Sequence, residues 1–117
     1  MSFTIIENDK PVWKIERSEL FEESMKRASV VFSDLPDRLD KFLATKASDP
    51  FTNRYGKHDR RMVGDLAGFW HCHLRDDAVL IYQLRNMTMT LVYIAPHAEI
   101  EGKRLKQTAK RLHSIAA

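Results

Sequence analysis

Apolar positions recur along this chain in two rhythms, one helical and one alternating, and together they divide it into helices and strands. Residues 12–17, Val12-Trp13-Lys14-Ile15-Glu16-Arg17, alternate and read as a strand, paired with residues 4–7 through the turn Asn8-Asp9-Lys10-Pro11. Ser18 then offers an N-cap, and Glu19, Glu22 and Glu23 suit the positive end of a helix dipole. Phe21, Met25, Ala28, Phe32 and Leu35 follow at alternating steps of four and three, which draws one stripe along a helix and predicts a core contact. Pro36 ends that helix and opens another with Leu39, Phe42 and Leu43 on its apolar side, closed by Ser48-Asp49-Pro50.

Residues 51–65 are polar and basic and predict a loop. Three strands come next. Residues 69–74 alternate, placing Trp70, Cys72 and Leu74 on one face and Phe69, His71 and His73 on the other. Arg75-Asp76-Asp77 turns the chain into residues 78–84, which are almost all apolar, as in a strand covered on both faces. Arg85-Asn86-Met87 turns again, and residues 88–95 form a last strand that Pro96 stops. Such short connections make an antiparallel meander. Beyond residue 100, Leu105, Ala109, Leu112 and Ala116 have helical spacing, while Lys103, Arg104, Lys106, Lys110 and Arg111 occupy the other faces. The expected fold is α+β: an N-terminal strand, two helices, an antiparallel three-strand meander and a basic C-terminal helix. Residues 1–117 are expected to form one domain, with 102–117 as its helical extension.

Composition sharpens this picture. A chain of 117 residues suits one hydrophobic core. Residues 1–53 carry eight Lys/Arg against ten Asp/Glu, whereas residues 54–117 carry eleven against six. A basic second half points to a phosphate-rich or otherwise acidic partner, although an ordinary solvated surface would look the same. Cys72 is the single cysteine, so no intrachain disulfide and no cysteine-rich zinc site can form. The start of the chain lacks a basic, then apolar, leader, and no apolar run approaches the ~20 residues that span a bilayer. The expected location is the cytoplasm, with no membrane association.

Topology supplies candidate chemistry. The first and third strands of a meander run the same way, so their ends share one rim of the sheet. His73 stands near the end of one and His97 just past the end of the other, and the turn holding Arg75 and Asp77 lies at the same rim. Cutting RNA without a metal requires that the 2′-OH lose a proton, the 5′-oxygen gain one and the phosphate's growing charge be held. Imidazole, with an ordinary pKa of ~6.5, suits either proton role. A guanidinium fork fits phosphate oxygens, and Asp77 could orient a histidine. The plain alternative is a pair of surface histidines at strand ends. His71 and His73, two apart on one face, also admit a metal-ligand reading, but Cys72 points away and no further ligand has zinc spacing. His58 and His113 sit among basic residues and read as solvated side chains, and Cys72 reads as a small core residue.

In order, the basic loop, Gly64, Gly68, Trp70-His71-Cys72-His73, Asp77, Val79-Leu80-Ile81-Tyr82 and Pro96-His97-Ala98-Glu99-Ile100 resemble the RelE/ParE toxin superfamily, in its YafQ-like mRNA interferase branch. The resemblance implies a toxin of a type II toxin–antitoxin system: a metal-independent, ribosome-dependent endoribonuclease acting on mRNA, needing no cofactor and blocked by a cognate antitoxin. His73, Asp77 and His97 match the YafQ catalytic positions, and Ile100 matches the apolar residue behind the last histidine. Two positions depart from the pattern: a further family histidine is replaced by Arg60, with His58 the nearest imidazole, and an arginine by Tyr93. Lys57, His58, Arg60, Arg61, Arg75 and Tyr93 are the expected substrate contacts. Two other readings remain open, a same-fold toxin acting on DNA gyrase without cutting RNA, and a non-catalytic RNA- or protein-binding module working through helix 103–111.

Overall fold

The structure, a computed structural model, describes residues 6–7, 10–11, 13–46, 60–62 and 64–116 (of 6–7, 10–11, 60 and 116, the backbone alone). The chain opens with two short strands, β1 (Ile6–Glu7) and β2 (Lys10–Pro11), paired with each other. Strand β3 (Lys14–Arg17) and helices α1 (Glu19–Val31) and α2 (Leu35–Lys46) follow. The main sheet is completed by β4 (Arg60–Arg61), β5 (Trp70–Arg75), β6 (Ala78–Arg85) and β7 (Thr88–Ala95), in the order β3-β7-β6-β5-β4. Two 3-10 turns (His97–Ile100 and Gly102–Arg104) then lead into α3 (Leu105–Ala116).

The meander and the three helices match the sequence reading, except that the first helix ends at Val31 and Leu35, expected on its stripe, opens the second. Three further details differ. Residues 14–17 pair with β7, in parallel, while the hairpin partner of residues 6–7 is only Lys10–Pro11. Arg60 and Arg61, read as loop, pair antiparallel with His71 and Trp70 as an edge strand. The terminal helix begins at Leu105, later than expected. The turn at 48–50 and most of the 51–65 loop lie outside the described residues.

Burial follows from the two rhythms. On one face, Phe21, Leu35, Leu39 and Phe42 of the first two helices pack on Cys72, Leu80, Tyr82 and Leu91. On the other, Ala109 and Leu112 of α3 pack on Phe69, Ile81, Val92 and Ala95. Strand β6 lies between β5 and β7 and is buried from Ala78 to Tyr82, as its unbroken apolar run requires. Lys46 is buried too, its ammonium 5.7 Å from the ring centres of both Phe42 and Tyr82. Ser18 caps α1 by accepting the Phe21 N–H at 3.0 Å, the role its position predicts.

Strict alternation fails at two places, and both shape the rim. Between His73 and Arg75 the β5–β6 register slips by one residue, leaving Leu74 extra. Between Ile81 and Tyr82 the β6–β7 register slips again, leaving Val92 extra in β7. Each such bulge moves the residues after it to the opposite face.

Candidate active site at the sheet rim

Strand β5 presents His71 and His73, with Phe69 just before it, on the face that α3 covers in part. The imidazoles of His71 and His73 stand 5.8 Å apart, centre to centre. The His97 ring, carried by the turn after β7, stands 5.5 Å from His73 at an interplanar angle of 66°. Three imidazoles therefore run in a row towards the rim where β5 and β7 end. His73 is half-buried, and His97 keeps 44% of its side chain exposed.

Carboxylates hold the last ring in place from two sides. Asp77, in the turn between β5 and β6, accepts the His97 backbone N–H at 2.8 Å. It thus ties the segment carrying His97 to the hairpin carrying His73, and it acts on the backbone rather than on the ring, contrary to the sequence expectation. The ring's partner is Glu101, whose Oε1 lies 3.1 Å from Nδ1. A proton on Nδ1 shared with that carboxylate leaves Nε2 for chemistry. Glu101 escaped the sequence reading; its signal was the spacing of four from His97 across one turn.

Arg75 does not join this group. The Leu74 bulge turns it onto the face of α1 and α2, where its guanidinium lies 4.8 Å from the Phe32 ring centre and 2.9 Å from Asp34 Oδ2. Asp34 also accepts from Arg38 Nε at 2.7 Å. That hydrogen bond, and then the charge of Arg75, hold the Asp34 carboxyl below its usual range. Tyr93 is likewise no surface contact: it is 3% exposed and donates from its hydroxyl to Glu99 Oε1 at 2.6 Å. Burial, then that hydrogen bond, push its phenol up to about 12. Arg111 lies over its ring, and Arg104 reaches Glu99 at 3.9 Å.

The remaining candidates divide three ways. Arg61 is exposed, its guanidinium 5.6 Å from the Trp70 ring centre. Arg60 pairs with His71 across the antiparallel ladder, a position on the histidine face of the sheet. Ile100 packs under the turn, against the α3-side core. Lys57 and His58 lie outside the described residues. A cleft of about 230 Å³ opens beside the rim between α1 and the end of β7, bordered by Arg27, Phe32, Asp77 and Pro96. Among the described residues, no group of three or more His, Cys, Asp or Glu is arranged to hold a metal ion. No described helix is long and apolar enough to cross a membrane.

The protein-family model described as "Bacterial toxin of type II toxin-antitoxin system, YafQ" matches residues 13–102. The chain belongs to the YafQ toxin family. Among solved structures, the Escherichia coli DinJ–YafQ toxin–antitoxin complex superposes with a TM-score of 0.63 at 22% identity, covering 75% of this chain and 96% of that one. A YoeB/ParE toxin from Agrobacterium tumefaciens gives 0.59 at 12% identity, covering 71% and 96%. A metal-bound toxin from Helicobacter pylori gives 0.53 at 29% identity, covering 76% and 99%. No curated protein sequence matches. The YafQ match spans the sheet, both helices of the first layer and the whole imidazole row, and it stops before α3.

Proposed function

We propose that this YafQ-family toxin is an endoribonuclease whose proton-transfer pair is His73 and His97. The observation that carries the reading is the 5.5 Å approach of these two rings, 24 residues apart in sequence, at one half-exposed rim. One imidazole takes the proton of the ribose 2′-OH, and the oxygen attacks the adjacent phosphorus. The 5′-oxygen leaves with a proton from the other, protonated imidazole. The products are a 2′,3′-cyclic phosphate and a 5′-hydroxyl, and the protonation states of the pair are exchanged. No metal or cofactor enters the scheme. Asp77 and Glu101 act as positioning residues for His97, and Ile100 anchors its turn. Arg60, opposite His71 on the edge strand beside β5, supplies positive charge to the phosphate, whereas Arg61, over Trp70, belongs with Arg75 to the other face. Lys57 and His58 extend the same basic segment. Arg75 supports the rim through Asp34 instead of meeting substrate.

The substrate proposed is mRNA on the ribosome, and the inhibitor a small cognate antitoxin, as DinJ is for the E. coli relative. Single-turnover cleavage by purified His73→Ala and His97→Ala variants, with ribosome-bound and free mRNA, tests the reading. Each substitution is expected to slow cleavage by about 10²–10⁴-fold, the usual contribution of a positioned acid or base. A folded His97→Ala variant that cuts at the wild-type rate would refute the assignment. Expressed wild-type protein that damages DNA and leaves transcripts whole would favour the gyrase reading.

A further inference from the structure

We infer that Lys103, Lys106 and Lys110 form a docking stripe for the sugar–phosphate backbone of single-stranded RNA, added by this chain beyond the span it shares with its family. The inference rests on the RNA reading above and extends it to a second surface. After Glu101 the sequence holds five Lys/Arg and no Asp or Glu, and the family match ends at residue 102.

The roll of α3 about its axis is fixed, so its outward face is defined. Leu105, Ala109 and Leu112 enter the core, and His113 Nε2 sits 2.9 Å from the Asp65 carbonyl oxygen with its ring 5.0 Å from Phe69. Spacings of three and four then put Lys103, Lys106 and Lys110 in one line, all exposed. Arg104 and Arg111 occupy the opposite flank, engaged with Glu99 and Tyr93. None of the three lysines has an ion-pair partner among the described residues.

Local electrostatics disfavours this arrangement. Lys103 and Lys106 crowd the positive end of the helix dipole, where the first turn has no acidic residue, and Lys106 and Lys110 repel across one turn. Where local rules are broken with no compensation inside the fold, function is the usual reason. The location fits as well. His113 of α3 packs on Phe69, which shares its strand face with His71 and His73, so RNA crossing the imidazole row meets this helix. Lysine ammoniums bind phosphates as point charges and read no sequence.

The test is binding of full-length protein to a 2′-O-methyl RNA oligonucleotide, which cannot be cut, followed by fluorescence anisotropy across a salt series. For the K103Q/K106Q/K110Q variant, the slope of log affinity against log salt should flatten by about two, at roughly 0.7 per single-strand phosphate contact, with roughly tenfold weaker binding. Replacing the same three by arginine should restore binding. The thermal midpoint of the glutamine variant should not fall, because the charges removed were unfavourable to the helix. An unchanged salt slope would overturn the inference, including the case in which the stripe serves an acidic protein instead. Equal loss in the arginine variant would overturn it too. Since the probe cannot be cleaved, lysine-dependent binding by a protein that never cuts RNA would sink only the cleavage reading. A cutting enzyme with an unaltered slope would sink only this one.

Discussion

Tyr93 faces α3 because Val92 is an extra residue in β7; with unbroken alternation it would share the side of Leu91, towards α1 and α2. The inserted residue thereby delivers a phenol to Glu99 in the turn that carries His97, at 2.6 Å. Its phenol is pushed up to about 12, above the ~10 of an unfolded chain, so the folded state favours the neutral form. That preference contributes stability fully below about pH 10, and the contribution is lost as pH rises from about 10 to about 12. Tyr93→Phe has no such titration. Wild type should therefore exceed it by about 1 kcal/mol at neutral pH, the worth of one buried hydrogen bond, with the gap closing at high pH. Urea unfolding of both proteins at pH 8, 10 and 11 measures this. A gap that stays constant with pH would mean that the hydroxyl is not protected as described. The Leu74 bulge shows the same principle in reverse, since it removes Arg75 from the histidine face on which simple alternation places it.

Strand β3 ends at Arg17, so the outer edge of β7 has no strand partner beyond Leu91, and helix α1 completes it with two serines. The Ser18 N–H donates to the Leu91 carbonyl at 3.0 Å and the Ser18 hydroxyl to the Val92 carbonyl at 2.8 Å. Ser24, 2% exposed, accepts the Ile94 N–H at 2.9 Å and donates to the Phe21 carbonyl at 3.0 Å. Ser24→Ala strands a buried N–H and should lower stability by about 1–3 kcal/mol, read from chemical denaturation. A loss below about 0.5 kcal/mol would indicate that water from the cleft beside Ser24 and Ile94 replaces the hydroxyl. Elements of this kind mark the boundary of what the chain discloses before folding. The stripe from Phe21 to Ala28 and the alternation of residues 69–74 are local periodicities and were readable, whereas the helix boundary before Leu35 was not. The rim pairing of His73 and His97 was readable as well, because an antiparallel meander fixes which strand ends coincide. The parallel partner of β3 and the serine-finished edge depend on contacts between residues some seventy positions apart, and the two bulges are one-residue insertions in hairpin ladders that the apolar pattern does not mark. Strand topology points to Asp77 as the partner of the His97 ring, but Asp77 binds the backbone and the ring pairs with Glu101 four residues on.

At the scale of the whole molecule, the family match and the folding unit end at different places. The YafQ correspondence stops at residue 102, yet the described core continues into α3, where Leu112 is fully buried and Ala109 is 4% exposed. These residues cover Phe69, Ile81 and Val92, so α3 forms the outer layer of the sheet face whose other half carries the imidazole row. A dispensable appendage would tolerate truncation of its apolar side chains; a layer of the core would not. Leu112→Ala is accordingly expected to cost about 2–5 kcal/mol, the range for leucine removed from a packed interior. Its unfolding should remain a single transition, because β6 belongs to both clusters that pack on the sheet's opposite faces. Urea denaturation followed by both tryptophan fluorescence and far-ultraviolet circular dichroism distinguishes the cases. Coincident transitions at a lower midpoint place α3 inside the folding unit. A separate early transition of helical signal, with the tryptophan transition unmoved, would make it an attached arm. The first outcome has a consequence for the lysine stripe: its three ammoniums would be held by the same core that sets the spacing of His73 and His97, giving RNA a rigid second contact.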